Sequence, residues 1–412
     1  MHADQGDCFA DMILAYLDPG SGSALVGTLI AIAGAALFSL KTFFYRLVSK
    51  SDLATSAVAP TLAIFSEGKN YWGTFREIVD ELIARKVHFA YYTMDLHDPA
   101  LQIDSEYMQA RLFDVKKASS FAKLARVQAK LMLATTPNIG TPGYPLKRPP
   151  GVGKLVHVFH AFADISAYHV GSLDNYDVVL TVGPHQEKPI REVERARGLR
   201  TKEIIPMGLP YFDAQLHSLT VPTARLTKDG ATILIAPSWG EKGLLAEYGT
   251  TFIGDLARAG YRIIVRPHPQ SHIAEPAFIA KCQAETEVFP NVAWDDETVG
   301  TASMQSSDLL ISDTSSIRFD YAFLYGKPVI TLDIPHEKQL AYEGQFMDGI
   351  WTDAAARKLG RVLTRRDMPF VVSVVRDVLR SGASDVCAFR AETITNYGTS
   401  ASSIVDYLVS HV

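Results

Sequence analysis

From Thr61 onward, short apolar runs alternate with amphipathic stretches, and the alternation comes in two series. In the first, "TLAIFS" (61–66), "VHFAYYTM" (87–94), "KLMLATT" (130–136), "LVHVFH" (155–160), "VVLTVG" (178–183) and "EIIPMG" (203–208) have the length and composition of buried strands. Between them, "YWGTFREIVDELIARK" sets Phe75, Ile78, Val79, Leu82 and Ile83 on one helical face. A helical region is expected around 106–130, and "TPNIGTPGYPLKRPPGVGK" reads as a loop from its prolines and glycines. The second series runs through "ATILIAPSW", "YRIIVRPH", "NVAW", "DLLIS" and "PVITL", each separated by a helical pattern. Near-continuous apolar strands joined by helices call for parallel sheets covered on both faces. The expected fold is therefore α/β, with two Rossmann-like, doubly wound domains over residues 60–220 and 221–412, joined near 217–229.

The first 59 residues follow another pattern. No charge occurs from Pro19 to Leu40, a length that suits a membrane helix, which needs roughly 20 apolar residues. Asp4, Asp7, Asp11 and Asp18 precede this stretch, whereas Lys41, Arg46 and Lys50 follow it. We expect a tail (1–22), a membrane-anchor helix (23–47) and a linker (48–59). The positive flank then puts the two domains on the cytoplasmic face of a bacterial inner membrane. Gly27, Ala31, Ala33, Gly34, Ala35 and Ala36 equally fit a buried or re-entrant helix.

A formal net charge of −5 gives no electrostatic footprint for a nucleic-acid partner. Cys8, Cys282 and Cys387 lie far apart, which excludes a cysteine-rich zinc site or a disulfide framework. "RPPGVGKL" fails as a phosphate-binding P-loop, because Arg148 and Leu155 occupy the positions of its first Gly and its Ser/Thr. No G-x-G-x-x-G follows an expected strand, so no nicotinamide or flavin cofactor is expected. The acidic run Trp294–Glu297 reads as a solvated face, and no metal is assigned.

In open α/β sheets ligands sit beyond the carboxyl ends of the strands. Three such ends carry chemistry. In "IIVRPHP", Arg266 has the fork that pairs with phosphate, and His268 is held between two prolines. A histidine bonded to backbone is the structural alternative. His160 ends "LVHVFH" and is a candidate general base; His157 falls on the opposite face. In "LLISDTSSIRF", Asp313, Thr314, Ser315 and Ser316 lie at the seam between a strand and a helix. One hydroxyl there is expected to cap the helix, and the free N–H groups of the helix start suit a phosphate. Asp313 would repel a phosphate, so its expected part is to accept from a hydroxyl or orient the loop. Ser238, after "TILIAP", lies at a further strand end.

Taken in order, "VFHAF", "IPMGLPYFD", "IAPSW", "IIVRPHP" and "LLISDTSSIRFDYAFLYGKPVI" resemble the CDP-glycerol glycerophosphotransferase family, which includes teichoic-acid primases and polymerases. The resemblance covers about Leu155 to Leu332. It implies a GT-B-type fold with its active site between the domains. It also implies transfer of glycerol phosphate, or a related polyol phosphate, from a CDP-activated donor to a hydroxyl of a membrane-linked cell-envelope glycan or polymer. Carried over, His160 matches the general base, Arg266 and His268 match residues near the donor pyrophosphate, and Asp313, Ser315 and Ser316 match donor-binding positions; beside these, His268 is expected as a second catalytic residue and Thr314 and Ser238 as donor-binding residues. Where the family commonly has His-Gly-Thr, this chain has His160-Ala161-Phe162. The same fold also serves sugar-nucleotide-dependent glycosyltransferases and 2-epimerase-like enzymes of cell-surface polysaccharide synthesis. A non-catalytic scaffold in polysaccharide export is the reading from another class. Release of CMP rather than UDP separates the first two, and absence of nucleotide binding marks the third.

Overall fold

The computed structural model describes residues 60–113, 119–162, 164–219, 230–240, 242–297, 300–334, 342–383 and 385–412. The expected tail, anchor helix and linker (1–59) lie outside the described residues, as does the junction 220–229. Among the described residues no helix is long and apolar enough to cross a membrane.

Among the described residues thirteen strands form two sheets, and every strand pairing within them is parallel. The first sheet contains β1 (Leu62–Ser66), β2 (Phe89–Thr93), β3 (Met108–Leu112), β4 (Gln128–Ala134), β5 (Gly151–Val158), β6 (Val178–Thr181) and β7 (Glu203–Pro206). The second contains β8 (Thr232–Ala236), β9 (Arg262–Val265), β10 (Val292–Trp294), β11 (Leu309–Ser312), β12 (Val329–Leu332) and β13 (Gly360–Leu363). The spatial orders are β3-β2-β1-β4-β5-β6-β7 and β10-β9-β8-β11-β12-β13. Strand order therefore reverses between β1 and β4 in one sheet and between β8 and β11 in the other. Chain crossovers leave in opposite directions at these points, which opens a crevice at the strands' carboxyl ends.

The helix expected around 106–130 is replaced by a strand and a short helix. "MQARL" is rich in helix formers, yet β3 pairs with β2 in register from Phe89↔Met108 to Thr93↔Leu112. Ladder bonds at the sheet edge outweigh a weak local preference. A helix remains at Ser119–Leu124. The end of the expected loop is also extended, because Gly151–Lys154 begin β5 against β4. Gly153 fits there because a Cβ would stand 2.7 Å from the Lys130 carbonyl oxygen.

The helix Ser400–Ser410 sets Ile404, Val405 and Leu408 into the same core as Leu62, Ile64 and Leu131 of the first sheet. Its start is tied by Asp213, whose carboxylate accepts from Ala401 N–H at 2.8 Å, and by Ser400 Oγ, which accepts from Leu209 N–H at 3.0 Å. The two sheets also share a core. Phe162, after β5, stacks on Phe319 of the helix Ile317–Tyr325 with ring centres 4.3 Å apart, and packs beside Phe323 and Trp351. The chain's departure from His-Gly-Thr is thus a buried aromatic peg joining the two halves.

Candidate functional site

At the β8/β11 reversal, Asp313 is fully buried. Its carboxylate accepts from Ser238 N–H at 3.0 and 3.1 Å, Ser238 Oγ at 2.8 Å, Leu244 N–H at 2.8 Å and Ser315 N–H at 3.1 Å. One side chain thereby pulls the loop after β8 onto the loop after β11 and fixes both. Charge-assisted bonds of this kind are about twice as strong as neutral ones. Trp239, next in the β8 loop, is half exposed.

The helix Ile317–Tyr325 starts at this seam with Ser316 as its N-cap residue, and no side chain caps it. The expected hydroxyl cap is therefore not formed: Ser316 has helical backbone angles, φ −63° and ψ −20°, instead of the extended ones that aim a cap side chain at the first turn. Among the described residues no hydrogen bond engages the hydroxyls of Thr314, Ser315 or Ser316, and all three residues are half-buried. Asp320, one turn further, is pushed up to about 7 by burial, and one of its oxygens has no partner.

At the end of β9, His268 is exposed, and its Nδ1 accepts from Gln270 N–H at 3.1 Å. That bond leaves Nε2 as the nitrogen free to meet a ligand. Reduced hydration lowers the His268 pKa, and the nearby Asp313 carboxylate opposes the shift. Arg266 behaves differently from the sequence expectation. Its Nη1 pairs with Asp295 at 2.7 Å and its Nη2 donates to the Glu297 carbonyl oxygen at 2.7 Å. The guanidinium is buried and anchors the acidic run, so in this structure Arg266 is a brace behind the site instead of an open phosphate fork. Asp295, read from sequence as solvated, also bonds Ser303 Oγ.

His160 lies at the first sheet's crevice. Its Nδ1 lies 3.0 Å from Thr135 Oγ1, just past β4, and the Tyr71 ring meets it edge-on at 5.0 Å. Loss of water around the ring pushes its pKa down to about 4, leaving a neutral imidazole. Glu67, beyond β1, lies beside this group: Tyr144 Oη donates to it at 3.3 Å, and its charge joins burial in raising the Tyr71 pKa. His157 is buried on the other face between Phe159 and Tyr176.

The structure thus gathers Ser238, Asp313, Thr314, Ser315, Ser316 and His268 at one end of the second sheet. His160 stands at the corresponding end of the first, with Thr135, Tyr71 and Glu67. Among the described residues none of His160's own hydrogen bonds or ring contacts reaches the second sheet; Phe162, two residues on, makes that link. Glu67 directly follows the apolar run "TLAIFS" and was visible as a strand-end residue, whereas Thr135 lies inside "KLMLATT" and Tyr71 had no marker in the sequence. Among the described residues no group of three or more His, Cys, Asp or Glu gathers at metal-binding distance.

Residues 159–348, just under half of the chain, match the family described as CDP-glycerol:poly(glycerophosphate) glycerophosphotransferase. No curated protein sequence matches the chain. Among solved structures, UDP-GlcNAc 2-epimerase from Neisseria meningitidis bound to UDP-GlcNAc is 13% identical, with a TM-score of 0.54 over 85% of this chain and 99% of that one. The UDP-GlcNAc 2-epimerase of Methanocaldococcus jannaschii, in complex with UDP-GlcNAc and UDP, is 11% identical over the same shares, also at 0.54. At such identities the likeness shows the fold alone: two parallel Rossmann-like sheets of GT-B type. The family match spans the His160 loop, the β8 loop, His268 and the Asp313 seam. Residues 159–348 thus carry the likeness to the CDP-glycerol:poly(glycerophosphate) glycerophosphotransferase family, consistent with a transferase.

Proposed function

We propose that the protein transfers glycerol phosphate, or a related polyol phosphate, from a CDP-activated donor to a hydroxyl of a membrane-linked cell-envelope polymer. The observation that carries this reading is the seam after β11. Asp313 has its oxygens occupied by the loops it fixes, while among the described residues the Ser316 and Ile317 N–H groups and the hydroxyls of Thr314, Ser315 and Ser316 are left without a partner beside it. A donor pyrophosphate fits that chemistry: acceptor oxygens meet oriented dipoles and His268 Nε2.

The acceptor hydroxyl oxygen attacks the phosphorus that bears the polyol. The bond from that phosphorus to the bridging oxygen breaks, CMP leaves, and the hydroxyl proton passes to His160. His160 is neutral before the reaction, so its lone pair is available. The donor's negative charges raise its proton affinity when they arrive, which turns a weak base into a competent one. His268 and the helix start stabilise charge on the departing CMP. Positioning and electrostatics of this kind supply most of the catalysis in phosphoryl-type transfer. No cofactor takes part in these steps.

The uncharged 19–40 stretch and the basic residues after it support a cytoplasmic-membrane location, with the donor drawn from the cytoplasm. The deciding experiment incubates the full chain with a membrane lipid fraction and CDP-glycerol, CDP-ribitol or UDP-GlcNAc. CMP release from a CDP-polyol, with label moving to the lipid fraction, is expected. UDP release or sugar epimerisation without CMP release overturns the reading in favour of a sugar-nucleotide enzyme. Recovery of the chain in salt-washed membranes tests the anchor; recovery in the soluble fraction removes it.

A further inference from the structure

Arg318 is the second residue of the helix Ile317–Tyr325 and is 2% exposed. Its Nε donates to the Ser315 carbonyl oxygen at 3.1 Å and its Nη1 to Thr331 Oγ1 at 3.3 Å. Both partners are neutral. Nη2 is buried and has no partner. Burial pushes the Arg318 pKa down to about 10, while Asp313 and Asp353 pull it back through space. Removing a guanidinium from water without a hydrogen-bonded anion is costly, and such a charge persists where something else uses it.

Arg318 also lines a recess of about 110 Å³ at the carboxyl end of β12. Thr314 joins the recess to the hydroxyl cluster; Arg357, Thr331, Asp333 and Asp353 complete its polar wall. That volume exceeds what one or two waters fill, at about 30 Å³ each. Two arginines face two aspartates, so the wall is close to neutral in sum and tolerates a group with a single negative charge better than a dianion.

We propose that this recess is a subsite for a singly charged phosphodiester group of the nucleotide-activated donor, with Arg318, Thr314 and Arg357 around it. This rests on the donor reading above and adds a residue that decides which phosphate is accepted. A phosphodiester carries one charge on each phosphorus, whereas a terminal monoester carries nearly two at neutral pH. CDP-glycerol should therefore bind more tightly than CDP, and Arg318 should be the reason.

Calorimetry with CDP-glycerol and CDP, on the full chain and on Arg318→Met and Arg318→Lys, tests this, together with melting curves. Arg318→Met is expected to melt at or above the wild-type temperature, because it removes an uncompensated buried charge, and to bind CDP-glycerol at least tenfold more weakly. A stable Arg318→Met protein with wild-type affinity and an unchanged preference for CDP-glycerol over CDP overturns the subsite. If Arg318→Met does not fold, Arg318→Lys decides. It keeps the charge but loses the fork, so several-fold weaker CDP-glycerol binding supports the proposal and an unchanged Kd overturns it. If the wild type binds neither nucleotide, the donor reading fails and inorganic phosphate becomes the probe. A phosphate-induced rise in melting temperature that Arg318→Lys abolishes keeps the recess as an anion site, and no such rise overturns it.

Discussion

Asp313 and His160 stand at equivalent places, each at a carboxyl strand end in its own sheet, and burial has opposite consequences for them. Asp313 is surrounded by donors from two loops, so it holds geometry and has no oxygen left over for chemistry. His160 has one hydroxyl at 3.0 Å and an aromatic edge, so burial lowers its proton affinity without saturating it. A satisfied buried polar group is a scaffold; a barely satisfied one responds to whatever charge arrives next. On the proposed reading, the Asp313 seam is held in place before a donor arrives, whereas the proton affinity of His160 is set by the charge that arrives with it.

The largest expected effect comes from His160→Ala, which should abolish CMP release while the melting temperature changes little. Wild-type-like turnover would remove the base from the mechanism. The pH profile sharpens the point. With a pKa near 4 the ring is already neutral at pH 5, so kcat/KM should stay flat from pH 8 to about 5 and fall as the ring protonates below that. An inflection near 6.5 would mean that another group titrates. The same shift bears on stability. The unfolded chain takes up this proton at a higher pH than the native state does, so stability is lost as pH falls from about 6.5 towards 4.

Next is Asp313→Ala. It strands the Ser238, Leu244 and Ser315 donors in a buried seam, each costing about 1–3 kcal/mol if unpaired. Both loops should drift, and a displacement of about 1 Å at a phosphate site can cost roughly 100-fold in rate. Urea denaturation and CMP release measure the two losses together. A stable variant with intact turnover would show that the hydroxyls need no such anchor.

Phe162→Ala acts on the link between the two ends. It removes the ring that stacks on Phe319 at 4.3 Å, and loss of a buried Phe commonly costs about 3–5 kcal/mol. Because His160 is two residues away and Phe319 is on the donor-side helix, kcat should fall along with stability. Unfolding measured against turnover at saturating donor separates them: a variant that is merely less stable keeps its kcat below its melting range.

Much of this comparison could be read from the sequence, because buried parallel strands announce themselves as apolar runs and their ends as polar interruptions. His160, His268 and the Asp313 seam were found that way. Edge strand β3 was hidden, since "MQARL" has a helix former's composition and only its partner β2 makes it a strand. From the sequence Arg266 reads as an open phosphate fork, and nothing local says that Asp295, 29 residues on, pairs with it. Arg318 escaped notice for the opposite reason: a charged residue in a helix's first turn looks solvated until the recess behind it is seen.

Ser316→Ala should have the smallest effect, and it tests the idea that the seam serves a ligand. A working Ser N-cap is worth about 0.5–2 kcal/mol, and replacing it by Ala loses that. Here the Ser316 side chain makes no cap bond, so the free protein should lose less than ~0.5 kcal/mol in urea unfolding. Donor affinity should nevertheless drop about three- to tenfold, the scale of one hydrogen bond to a charged oxygen. Affinity loss without stability loss identifies a hydroxyl held for the donor. Stability loss with unchanged affinity would return Ser316 to the ordinary task of closing a helix.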